Sequence, residues 1–159
     1  MRIGKLRNER GFTLLEVMMV IVIIAVLTAI ATQKFVSSAE MARRNADIAT
    51  GHQLKTALDR FQVENGLYPK KAEVSITAAG VVTAPNFIPK YLSKLDKTTT
   101  QQKTTDTQTG FGLADLPASG IYADTPTNLV MIYLNATGSG AEVRVFNDKL
   151  ETTALWASN

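Results

Sequence analysis

The chain has no cysteine and one histidine, His52. Without cysteine it can form no disulfide framework, no thiolate metal site and no cysteine nucleophile. A lone histidine supplies neither a multi-histidine zinc site nor, without an accompanying motif, a hydrolytic triad. His52 therefore reads as an ordinary helix-surface residue. A phosphate-binding glycine loop is also missing, because Gly110-Phe111-Gly112 is too short and lies beside a polar stretch. With no catalytic constellation to assemble, an enzyme is the weakest reading.

The body of the chain also lacks a charge excess. The formal net charge is +3, yet residues 1–11 alone hold Arg2, Lys5, Arg7 and Arg10 against Glu9. Everything beyond them balances to zero. Nucleic-acid binding normally needs a basic face to engage phosphates, so no nucleic acid is expected as a partner. Lys70, Lys71, Lys90, Lys94 and Lys97 read better as a solvated face than as a DNA or adhesion patch.

What the chain does have is a long apolar run. From Val17 to Ala31 every residue except Thr28 is apolar, and residues 12–33 carry a single charge, Glu16. A helix crosses a bilayer with about 20 apolar residues. A secretory signal would have a shorter apolar core followed by a small-x-small cleavage site, whereas Lys34 follows here without one. A basic cluster before such a run keeps that end in the cytoplasm.

Two details go beyond hydropathy. Gly11 separates the charged leader from the apolar run, in Arg10-Gly11-Phe12-Thr13. Glu16 then sits inside the run, where an ionised carboxylate costs up to about 2.5–3.5 kcal/mol at mid-bilayer and less near the interface. It is either an interfacial side chain that reaches back to water or a carboxylate awaiting a cation in an apolar assembly. Cleavage after Gly11 would create such a cation, an α-amino group at Phe12.

The string Gly11-Phe12-Thr13-Leu14-Leu15-Glu16, with the apolar run Val17 to Leu27 behind it, resembles the N-terminal signature of type IV pilins and type II secretion pseudopilins. The resemblance implies that a prepilin peptidase cuts between Gly11 and Phe12 and methylates the new amine. It implies that Glu16 is the assembly glutamate, which neutralises the amine of an adjacent subunit. The partners implied are further copies of the chain, the prepilin peptidase, an assembly platform with its ATPase, and the membrane. The implied location is the bacterial cytoplasmic membrane, single pass with the N-terminus cytoplasmic, and then a cell-surface or periplasmic filament. Many members carry proline where this chain has Gln33, so a kink there is not expected.

Farther along, Phe35, Ala39, Ala42, Ala46 and Ala49 mark one helix face, and Leu54, Ala57, Leu58 and Phe61 a bulkier one. The second is expected to pack on the head's own sheet. Glu40 has the spacing to pair with Arg43 or Arg44. Asn65-Gly66 stops the helix, Pro69 prevents its resumption, and Gly51 weakens it locally. The segment Phe61-Gln62-Val63-Glu64-Asn65-Gly66-Leu67-Tyr68-Pro69 resembles the helix ending of major pseudopilins and related pilins.

Residues 73–77 and 81–83 suggest a minor hairpin, and Ile88–Leu95 a short helix. Residues 98–109, with seven threonines, read as a surface loop with nothing to bury. Strands are expected at Asn128–Asn135 and Glu142–Phe146 around a Gly138-Ser139-Gly140 loop, with edges at Gly120–Ala123 and Thr153–Trp156. The expected fold is α+β: a long N-terminal membrane-spanning helix whose C-terminal half packs on a small antiparallel sheet, the pilin fold. Its parts are a removable leader (1–11), a transmembrane and filament-core segment (12–33), the helix continuation (34–65) and a globular head (66–159).

No cofactor is expected. Asp96, Asp106, Asp115 and Asp124 lie in loop-rich sequence, and the resemblance allows calcium in a head loop, but their spacing fits no calcium motif. Asn135-Ala136-Thr137 is best read as a chance glycosylation sequon. The leading function is a structural filament subunit. The alternative is a membrane-tethered binding domain that never polymerises, which needs no role for Glu16.

Overall fold

The computed structural model describes residues 12–77, 80–105, 107–122 and 125–158. The leader and Gly11 lie outside them. One helix, α1, runs Leu14–Asn65 and links two compact units that meet at Ala39 and Glu40.

The first unit is the apolar part of α1. Its large side chains, from Leu14 through Ile30, are about half exposed or more on every face. Valine and isoleucine are poor helix formers in water. In an apolar medium, though, the backbone must satisfy its own hydrogen bonds, and a helix does so within the segment. Thr28 and Thr32 add hydroxyl bonds back to the carbonyls of Ile24 (2.7 Å) and Thr28 (2.8 Å). The helix passes Gln33 without a break, as the missing proline led us to expect.

The second unit is the head. Here α1 buries Asp47, Gly51, Leu54, Ala57, Leu58 and Phe61. The bulkier stripe is therefore the packing face, each large side chain contributing about 1.5–3 kcal/mol. Of the alanine stripe, Ala42 and Ala49 are exposed and Ala39 and Ala46 half-buried. Gly51 is needed for close approach: a Cβ there would lie 2.6 Å from Val145 Cγ2 and 3.0 Å from Trp156 Cζ3. The helix ends where expected. Asn65 Nδ2 and the Gly66 amide donate to the carbonyls of Phe61 (2.8 Å) and Gln62 (2.7 Å), with Gly66 at φ +81°.

A four-stranded sheet packs on this face, in the order β3 (Phe111–Asp115), β4 (Val130–Leu134), β5 (Ala141–Val145), β6 (Trp156–Ala157). Val130, Ile132 and Leu134, with Val143 and Val145, turn toward α1; Met131 and Tyr133, with Glu142 and Arg144, face away. A minor hairpin, β1 (Ser75–Ile76) and β2 (Val82–Thr83), completes the head.

Several expectations change. The α+β architecture stands, but the sheet is mixed, because β3 pairs parallel to β4. A parallel pair needs a crossover of a dozen or more residues, and residues 116–129 connect the two strands, with Tyr122 lying over Arg144 on the outer sheet face. Residues 120–122 lie in that crossover rather than in an edge strand. Ile88–Leu95 forms turns and irregular backbone instead of a helix. Arg44 pairs with Asp148 at 3.0 Å and not with Glu40.

The threonine-rich stretch is also more than a surface loop. Thr100 and Gln102 are buried, and Asp47, fully enclosed on α1, holds the segment down. Its carboxylate accepts from the Gln101 amide (2.6 Å), the Gln102 amide (3.0 Å) and Gln102 Nε2 (3.0 Å). Gln102 Nε2 also donates to the Phe146 carbonyl at 3.0 Å, tying loop, helix and sheet together.

Candidate functional site

The first turn of a helix leaves backbone amides without intrahelical partners, and a threonine before it with a glutamate three residues on can satisfy two of them reciprocally. Thr13 and Glu16 do this. Thr13 Oγ1 accepts from the Glu16 amide at 3.2 Å. Glu16 Oε2 in turn accepts from the Thr13 amide at 3.3 Å and from the Thr13 hydroxyl at 3.2 Å. The carboxylate also lies at the positive end of the helix dipole, which favours its charge. Glu16 is therefore held at the mouth of α1, on the solvent-exposed surface, one turn from Phe12.

Phe12 itself is 81% exposed. The structure thus places two of the three site residues singled out above at one end of α1, Phe12 and Glu16. Gly11 lies outside the described residues. Thr13 was missed as a partner of Glu16, although Thr-x-x-Glu before an apolar run is the sequence signal of this box. Asp47 was missed as well; its place one heptad before Leu54, on the same buried face, was the available clue.

The other candidates are engaged elsewhere. His52 packs against Trp156, with ring centroids 4.1 Å apart and the rings tilted by 43°. Among the described residues no three His, Cys, Asp or Glu side chains cluster as a metal site would require. Asp96 is 5% exposed and bonded to Lys94 (2.5 Å) and to the Thr98 hydroxyl (2.6 Å). These two bonds, Lys94's first, hold its carboxyl well below the usual carboxylate range. Asp115 pairs with Lys71 at 2.6 Å; Asp106 and Asp124 lie outside the described residues. Of the five lysines considered above, Lys71, Lys90 and Lys94 each have a carboxylate partner. Asn135 of the sequon accepts the Ser139 amide at 2.9 Å within the β4–β5 loop.

On the outer sheet face, Arg144 Nε bonds Glu142 at 2.9 Å and its guanidinium lies 3.7 Å from the centre of the Tyr122 ring. The Tyr122 hydroxyl donates to Glu142. Burial, and then that bond to Glu142, push the Tyr122 phenol well above its ordinary value.

An apolar helix long enough to cross a membrane, a capped glutamate at its mouth and a small α+β head make up a pilin-like α+β architecture. Residues 6–32 match the family model described as the prokaryotic N-terminal methylation motif. The chain is 37% identical to the type II secretion system core protein G of Pectobacterium carotovorum subsp. carotovorum over 83 residues, covering 52% of this chain and 51% of that one. It is 36% identical to the core protein G of Klebsiella pneumoniae over 84 residues, 53% and 58% of the two chains. Similarity extends to the type IV major pilin protein PilE of Neisseria gonorrhoeae, 29% over 87 residues, 55% and 50% of the two. The chain spans about half the length of the curated relatives it matches. No solved structure matches it.

Proposed function

We propose that this chain is the precursor of a structural subunit that polymerises through the first part of α1 into a type IV pilus or a type II secretion pseudopilus. The observation that carries this reading is the pairing of an all-round apolar helix with a carboxylate fixed at its start. Helices with apolar side chains exposed on every face need lipid or other helices around them. Capping the first turn would serve an anchor as well, so what supports assembly is that the capped carboxylate sits one turn from Phe12 at the start of a helix apolar on every face.

The proposed sequence begins with insertion, the basic leader staying in the cytoplasm. Prepilin peptidase then hydrolyses the Gly11–Phe12 amide, releasing Gly11 as a carboxylate and Phe12 as an amine, which is methylated. The assembly platform and its ATPase extract the subunit into a growing cell-surface or periplasmic filament. Lipid contacts are exchanged for helix packing, and Glu16 neutralises the Phe12 amine of a neighbouring copy. An unmatched charge at that depth would cost several kcal/mol, which makes the pair a condition of assembly. The relatives named for type II secretion favour the pseudopilus.

Glu16→Ala tests the pairing. Membrane insertion and leader removal should be unchanged, while sheared filament material falls to background. Filaments of normal abundance from Glu16→Ala would remove Glu16 from the mechanism.

A further inference from the structure

From Phe12 to Ala39, where the first unit ends, the chain carries two charged side chains, Glu16 and Lys34. The helix is unbroken between them, so its geometry fixes their relation. Eighteen residues make five whole turns, which puts both on one line of the helix surface. At 1.5 Å per residue they lie about 27 Å apart along the axis. The hydrocarbon core of a bilayer is about 30 Å thick. Glu16 and Lys34 therefore bracket a charge-free segment of membrane thickness.

Hydropathy alone would draw the outer boundary farther on. Phe35 and Val36 follow Lys34, both exposed, and the chain turns polar again only at Ser37-Ser38. An apolar residue at 34 would let the helix sink by about one turn and bury those two side chains in lipid. The charge of Lys34 opposes that movement, because an ammonium inside the hydrocarbon is costly.

Nothing in the chain answers this charge. The positions one turn away on the same side, Ile30, Ala31, Ser37 and Ser38, include no carboxylate. Among the described residues the Lys34 ammonium forms no ion pair. The hydroxyls of Thr28, Thr32 and Ser37 are returned to helix carbonyls, at 2.7, 2.8 and 3.0 Å. The ammonium keeps three N–H donors for an acceptor outside the chain. Its long stem can stay in lipid while the charged end reaches the bilayer surface. The anionic acceptor at that level is the phosphate of a lipid headgroup.

We propose that Lys34 binds lipid phosphates of the extracytoplasmic leaflet and, with Glu16 at the opposite surface, sets the depth of the unassembled subunit in the membrane. This rests on the membrane-spanning part of the reading above and is independent of polymerisation.

The absence of cysteine makes the test clean. The processed full chain is placed in bilayer nanodiscs of phosphatidylcholine and phosphatidylglycerol. Single cysteines are introduced at Ile23, Ile30, Val36 and Ser38 and probed with a membrane-impermeant maleimide. Ile23→Cys and Ile30→Cys should be protected, Val36→Cys and Ser38→Cys labelled. Lys34→Leu should extend protection by about one turn, so that Val36→Cys labelling falls severalfold; Lys34→Arg should hold the boundary in place. In the same discs, solid-state NMR should show lysine Nζ signal dephased by lipid phosphorus, part of which Lys34→Leu removes. A boundary that Lys34→Leu leaves unmoved, or dephasing that it leaves unchanged, would overturn the proposal while the spanning helix stands. Labelling at every position, Ile23→Cys included, would remove the spanning helix and this proposal with it.

Discussion

Asp47 and Gly51 lie one helical turn apart on the face that α1 presents to the sheet, and each breaks a local rule of helix composition. Asp47 is a fully buried carboxylate met by three N–H donors. Asp47→Ala leaves those donors without an acceptor, at about 1–3 kcal/mol for each buried group. The head should lose about 2–4 kcal/mol in urea unfolding, with faster amide exchange at Gln101 and Gln102. Gly51→Ala looks favourable on helix propensity, by about 1 kcal/mol. The 2.6 Å clash with Val145 reverses the sign, because overpacking costs about 1–3 kcal/mol. The variant should unfold at a lower temperature, with altered Trp156 fluorescence; an unchanged or raised Tm would refute this packing account. Asp96 sets a pH dependence. Its folded-state carboxyl is depressed, so its contribution is present above the unfolded value of about 3.9 and is lost as pH falls further. Asp96→Asn should therefore flatten the fall in urea midpoint below about pH 4 and leave the slope above pH 6 untouched.

The elements differ in how far the residues alone reveal them. Helix α1 was legible from end to end, because the apolar run, the Leu54–Phe61 stripe and Asn65-Gly66 all act through local geometry. The strands at 130–134 and 141–145 were legible for the same reason, as β-branched runs flanking a glycine loop. The parallel placement of β3 was not, since strand direction depends on where a long crossover returns. Nor was the pinning of the threonine-rich loop, whose acceptor Asp47 is more than fifty residues away in sequence. Of the candidate site, Phe12 and Glu16 were visible as a motif, while the Thr13 bonds emerged only with the first turn in place. The unbroken helix makes its own prediction. Amides from Ile24 to Val36 should exchange slowly and uniformly in micelles. Gln33→Pro, which removes one helix bond and costs about 3 kcal/mol, should open a local window of fast exchange there.

At the scale of the whole molecule, a small head folded without covalent staples is joined to a helix whose apolar faces are uncovered within the chain. The fold explains how the head holds together; the proposed assembly would give the rest of α1 its use. Everything in that account depends on the leader being removed, since only then does Phe12 carry the amine that Glu16 of another copy would meet. The most direct test is the intact mass and N-terminus of the protein in surface-sheared filament material from its native host. The account predicts a chain that begins at N-methylated Phe12 and is enriched in that fraction. A chain that remains in the membrane fraction and still begins at Met1 would contradict it, and would leave a tethered domain in place of a filament subunit.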